Sequence, residues 1–136
     1  MRCWHYKLLP YLPKSQLIAQ WRELNSIYKK QDKHILINYI YGYDVSDLYG
    51  YSSMVIEEMT KRGYKIKSFE NHNNFFEQYR FLYKETKPFK NHHNDEYMHI
   101  CYWNLREKYI RGQKDFDDET FDKLLSFVSK YFKEGN

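Results

Sequence analysis

The chain has no apolar run near the roughly 18 residues that a membrane-spanning helix needs, so no contact with a membrane is expected. Cysteine is scarce. Cys3 and Cys101 can pair at most once, which excludes a disulfide scaffold and points to free thiols in a reducing cytoplasm. There is no internal repeat, low-complexity tract or Gly/Ser linker, so residues 1–136 are expected to form a single domain. The stretch from Met1 to Pro13 interrupts its apolar residues with Lys7 and two prolines and lacks a small-residue cleavage site; it does not read as a signal peptide. Walker loop, Rossmann glycines, nucleophile-elbow serine and HExxH are all missing. His92 or His93 with Asp95 or Glu96 matches no standard zinc spacing, so neither a metal nor a cofactor is expected.

What the chain does have is aromatic surface. With 15 Tyr, 9 Phe and 3 Trp it is not a disordered polymer, and at 136 residues it can bury roughly two-thirds of its unfolded surface. Such rings fill cores and also stack on nucleobases. Charge is unevenly spread. Residues 1–34 carry seven bases and two acids, net +5, leaving −1 for the rest. That asymmetry permits a nucleic-acid surface at the front, with Arg2, Lys7, Arg22 and Lys33 as candidate contacts. A solvated basic face is the plainer reading of the same charges.

Helical spacing dominates the pattern. A first helix is expected near Pro13, with Leu17, Ile18, Trp21, Leu24 and Tyr28 on one stripe. Arg22 lies about 110° and Glu23 about 200° from that stripe, so both should point away from the core. His34 to Tyr41 reads as a buried strand or a short buried helix. A helix from about Ser46 to Arg62 should stop at Gly63, with Glu57–Lys61 and Glu58–Arg62 as i,i+4 pairs. Further helices are expected over 70–83, over 94–111 and from Asp117 onward. The 94–111 helix is apolar on more than one side, which predicts a central position, and the last should bury Phe121, Leu124, Leu125, Val128 and Phe132. The expected fold is all-α: one compact helical domain with the N-terminal segment packed against it.

One segment rises above this background. Leu12 to Leu24, LPKSQLIAQWREL, resembles the first helix of the phage endonuclease V family of pyrimidine-dimer DNA glycosylases, with Leu12, Leu17, Ala19, Arg22, Glu23 and Leu24 matching. The distance from the initiator Met to the Arg–Glu pair is also the same. His34 stands where the family has a His before an apolar-aromatic run, and Glu57 to Ile66, EEMTKRGYKI, resembles the family helix ending K-R-G-[FY]-N-I. The start MRCWHYKLLPYLP is similar to bacterial members assigned to the family by similarity. The resemblance covers residues 1–66; 67–136 add helices without an assigned role.

The resemblance implies an endonuclease V-like fold and a specific chemistry. In the family the N-terminal α-amine attacks sugar C1′, expels the base and forms an imine, from which β-elimination nicks the strand. An α-amine suits this because its reference pKa of about 7.7–8.0 leaves a neutral fraction near pH 7. By resemblance Met1 would carry the amine, Glu23 would stabilise charge developing at C1′, and Arg22 would hold phosphates. His34 joins Arg2, Lys7, Arg22 and Lys33 as an expected DNA contact. The expected partner is duplex DNA bearing a damaged or abasic nucleotide, with no obligate protein partner.

The chain also departs from the pattern. The family loses Met to expose a Thr amine, whereas Arg2 here should retain Met1 and shift the amine by up to ~3.6 Å. Cys3, Gln16 and Ser26 replace basic family residues, the basic loop between the two blocks is shorter, and the aromatic C-terminal tail is not recognisable. Lys7 is an alternative amine. Two other readings stand beside the enzyme: a non-catalytic nucleic-acid-binding domain on the same fold, and a helical interaction domain with Arg22 and Glu23 simply solvated.

Overall fold

A computed structural model describes residues 2–31 and 33–134 of the chain. Among these residues there are five α-helices, two 3₁₀ helices and no strand. The all-helical fold with a packed N-terminal segment is therefore present. That segment runs irregularly through residues 2–5 and then turns into a 3₁₀ helix at Tyr6–Tyr11. Leu8 and Leu9 bury it against the second and fifth α-helices.

Helix α1, Lys14–Lys29, begins directly after Pro13, whose carbonyl accepts the Gln16 and Leu17 amides at 3.0 and 3.1 Å. It buries Leu17, Trp21, Leu24 and Tyr28 as the stripe required, and also Gln20, a polar residue in the middle of the apolar face. The run from His34 to Tyr41 is not a strand, and only its second half is a short helix. It makes a turn at 35–37 and a 3₁₀ helix at Asn38–Gly42, with Ile37 and Ile40 buried and Ile35 exposed. Five residues of 3₁₀ helix are enough to plant two isoleucines in the core.

Helix α2, Val45–Lys61, is capped by Asp44, whose carboxylate accepts the Ser46 amide at 2.8 Å. It ends at Gly63 with φ +77°, the left-handed position that favours glycine. Of the two expected pairs, Glu58–Arg62 forms at 2.7 Å, while Glu57 and Lys61 are exposed and make no ion pair among the described residues. Arg62 also donates to the Leu12 and Pro10 carbonyls at 2.8 and 3.1 Å, so the end of α2 holds the start of the chain. Gly50 admits the chain from the other side. A Cβ there would sit 2.2 Å from the Glu85 carbonyl oxygen.

Helix α3 occupies only Phe69–Phe76, shorter than the expected 70–83. Beyond it the backbone finds partners on α2 instead of continuing its own ladder: the Tyr83 amide donates to Ser46 Oγ and the Glu85 amide to the Ser46 carbonyl. Helix α4, Asp95–Ile110, is not central. Met98, Cys101, Tyr102 and Leu105 are buried, but Ile100 and Trp103 are exposed, so one apolar flank faces outward. Helix α5, Asp118–Lys133, starts under an Asp117 cap and buries Phe121, Leu124 and Val128. Of the other two residues expected in that stripe, Leu125 is exposed and Phe132 only half-buried, while Tyr131 is buried. Both cysteines are free and buried. No helix of the described residues is long and apolar enough to cross a membrane.

Candidate functional site

Gln20 explains how the N-terminal segment is positioned. Its Oε1 accepts the Trp4 amide at 2.9 Å, and its Nε2 lies 3.9 Å from Cys3 Sγ. The Tyr51 hydroxyl of α2 donates to the Trp4 carbonyl at 2.6 Å, and the Tyr97 hydroxyl of α4 donates to the Cys3 carbonyl, also at 2.6 Å. Residues 3 and 4 are thus gripped by α1, α2 and α4. Such buried polar groups are high in energy unless paired, so their pairing fixes one path for the chain.

That path opens onto a cleft of about 320 Å³. It is lined by Arg2 and Trp4 of the N-terminal segment, Gln20 and Glu23 of α1, Leu36 of the 35–37 turn, and Asn104 and Lys108 of α4. Glu23 does point away from the α1 stripe, yet it is half-buried rather than solvated, because the N-terminal segment and α4 cover that flank of the helix. Its Oε2 is buried with no hydrogen-bond partner among the described residues. A desolvated carboxylate oxygen without a donor is costly in a folded protein and is a mark of functional sites. The charge is felt nearby: burial, then Glu23, pushes the Cys3 thiol up to about 12, so Cys3 is a packed, unreactive thiol.

The other expected residues are dispersed. Met1 lies outside the described residues; Arg2, next to it, holds its guanidinium 5.7 Å from the Trp4 ring centre. Arg22 is exposed on the outer face of α1 and does not line the cleft. Lys7 sits in a different groove, of about 880 Å³, where its ammonium lies 5.1 Å from the Tyr131 ring beside Glu119 and Lys130. The structure does not bring Lys7 to Glu23. Lys33 is exposed and lines a third groove with Lys29 and Lys30 at the end of α1. His34 shapes a turn: its carbonyl accepts the Ile37 and Asn38 amides, both at 2.9 Å, and its Nδ1 accepts the Leu36 amide at 3.2 Å.

Sequence reasoning missed Gln20, Leu36, Asn104 and Lys108. Gln20 was visible as a polar residue on an apolar stripe, three positions before Glu23. Nothing in the sequence linked α4 to α1. No group of three or more His, Cys, Asp and Glu residues among those described is arranged to hold a metal ion.

Along the N-terminal segment, two histidines are held neutral. His93 Nδ1 accepts the Tyr6 amide at 3.2 Å and its Nε2 lies 2.7 Å from the Tyr39 hydroxyl, while His5 Nδ1 accepts the Lys7 amide at 3.1 Å. Burial, with Lys7 nearby, lowers His5 to about 4, and burial with His5 and His92 nearby lowers His93 to about 2. In the unfolded chain both take protons near 6.5. As pH falls below that value the unfolded state therefore binds more protons, and stability is lost by up to about 1.4 kcal/mol per pH unit for each histidine that remains neutral in the fold. Thermal melts should show a Tm that is level near neutrality and declines steadily from pH 6 to pH 4. A Tm unchanged over that range would show that neither buried imidazole resists protonation.

Residue 2 of the N-terminal segment and the unpartnered Glu23 of α1 thus line one cleft. Residues 1–72 match the family model of pyrimidine dimer DNA glycosylases, and the chain belongs to that family. This makes it a DNA-repair glycosylase type at family level, with DNA as the substrate. No curated protein and no solved structure gives a match. The matched residues include Arg2, Gln20, Glu23 and Leu36 but not Asn104 and Lys108, so one wall of the cleft comes from outside the matched region.

Proposed function

We propose that the chain is a bifunctional DNA glycosylase and AP lyase acting on duplexes that carry a pyrimidine dimer or an abasic site. The α-amine of Met1 attacks sugar C1′; the C1′–N bond breaks and the base leaves with its electron pair and a proton. The sugar ring then opens: the C1′–O4′ bond breaks, O4′ takes a proton to become a hydroxyl, and the amine nitrogen forms the imine with C1′. That imine acidifies the C2′ hydrogen. Loss of that proton breaks the C3′–O bond and nicks the strand, and water then hydrolyses the imine to return the free amine. Glu23 serves both stages: its carboxylate faces the cation-like charge at C1′ in the first and carries protons in the second. Arg2 and Lys108, which both line the cleft, hold the phosphates that flank the reacting sugar, and Arg22, Lys33 and Lys7 add contacts farther along the backbone.

The buried, unpartnered Glu23 Oε2 beside the N-terminal segment carries this reading. A cationic centre arriving in the cleft supplies the partner that the fold withholds. Borohydride reduction of complexes with abasic-site and cyclobutane-dimer duplexes tests it, since reduction turns the transient imine into a stable amine. The expected result is one covalent adduct that peptide mass mapping places on residue 1. An adduct on Lys7 would relocate the nucleophile away from Glu23, and no adduct from protein that still binds DNA would leave a binding module on the same fold.

A further inference from the structure

Ile35 and Leu36 are apolar residues that folding leaves outside. Ile35 is 84% exposed and Leu36 is 40% exposed, although the segment around them is tightly built. Three hydrogen bonds to His34 close the turn, and the next residue, Ile37, is anchored in the core at 1% exposure. The pair is therefore presented on a rigid tip that cannot fold back to hide it.

The position of that tip is informative. Leu36 also lines the Glu23 cleft, together with Arg2 and Lys108. On the chain side it follows the groove of Lys29, Lys30 and Lys33. An apolar tip that shares a cleft with Arg2 and Lys108 and follows Lys29, Lys30 and Lys33 in the chain matches a nucleic acid duplex, where apolar base faces lie beside phosphates. Two side chains are too few to seat a protein partner through apolar contact. They are enough to open a single base step, which is how inserted Leu, Ile or Phe side chains kink DNA.

We propose that Ile35 and Leu36 form a wedge that enters the base stack next to the nucleotide whose sugar reaches Glu23. This rests on the proposed function of the cleft. A sugar C1′ inside a stacked duplex is shielded by its neighbours, so a group that unstacks one step gives the cleft its access. Both residues are positioning residues, acting on the DNA's shape and not on the bond that breaks.

The test uses the full chain and a duplex with a tetrahydrofuran abasic analogue, which the enzyme cannot cleave, flanked by 2-aminopurine. Fluorescence of that base rises on unstacking, and anisotropy of a distal dye reports binding separately. Wild-type protein at saturation should raise the fluorescence several-fold. The Ile35→Ser/Leu36→Ser variant should bind and lose most of the rise, while Ile35→Met/Leu36→Met, still apolar, should keep it. An equal rise with the Ser variant at saturation overturns the wedge and leaves the catalytic reading intact. Failure of the wild type itself to bind the duplex overturns both. Sedimentation as a dimer that the Ser variant abolishes would instead assign the tip to a second copy of the chain.

Discussion

Glu23→Gln is expected to lower strand scission by about 10²–10³-fold or more, while duplex affinity stays within ~3-fold of wild type. The amide has the shape of the carboxylate, so the cleft keeps its walls. What it loses is the negative charge facing C1′ and the ability to take a proton. Binding depends on phosphate contacts made by cations around the cleft, and those are untouched. Single-turnover cleavage of an abasic duplex together with a salt-dependent binding titration separates the two quantities. Full cleavage by the Gln variant would remove Glu23 from the mechanism, and a parallel loss of affinity would make it a structural residue of the DNA surface.

Gln20→Ala should act on stability and rate together. Gln20 is 1% exposed, and truncation leaves the buried Trp4 amide without its acceptor and opens a void between α1 and the N-terminal segment. An orphaned donor and a small cavity together cost about 2–4 kcal/mol, readable as a lower midpoint in urea. The same bond aligns the segment carrying the amine with the helix carrying Glu23. A shift of about 1 Å between reacting groups can slow a reaction by about 10²-fold, so kcat should fall well beyond the effect on binding. Gln20→Met, which keeps most of the volume, should recover some of the stability but not the rate. Normal cleavage by the Ala variant would show that the N-terminal segment needs no anchor on α1.

The helices were legible where one physical signal decided them. The α1 stripe, the start of α5 at Asp117 and the glycine stop after α2 are local features, and each stands where spacing put it. The 34–41 run was less legible. Compatible with both strand and helix patterns, it is a turn followed by a short 3₁₀ helix anchored by the buried Ile37 and Ile40, so the helix alternative holds only for its second half. The helix expected over 70–83 ends at Phe76, and farther along the chain the Tyr83 amide bonds to Ser46 of α2, a tertiary contact that the sequence could not reveal.

The sequence by itself determined that the chain is helical, that its basic excess lies at the front, and that residues 12–66 carry the family's Arg–Glu helix and KRG block. These depend on residues near one another in the chain, where spacing and identity are enough. Tertiary structure alone decided that Glu23 is half-buried, that Gln20 ties the N-terminal segment to α1, and that α4 brings Asn104 and Lys108 to the same cleft. It also separated Lys7 from Glu23, although the two stand only 16 positions apart. Burial and convergence depend on which helix faces cover one another, and that is set by packing over the whole chain.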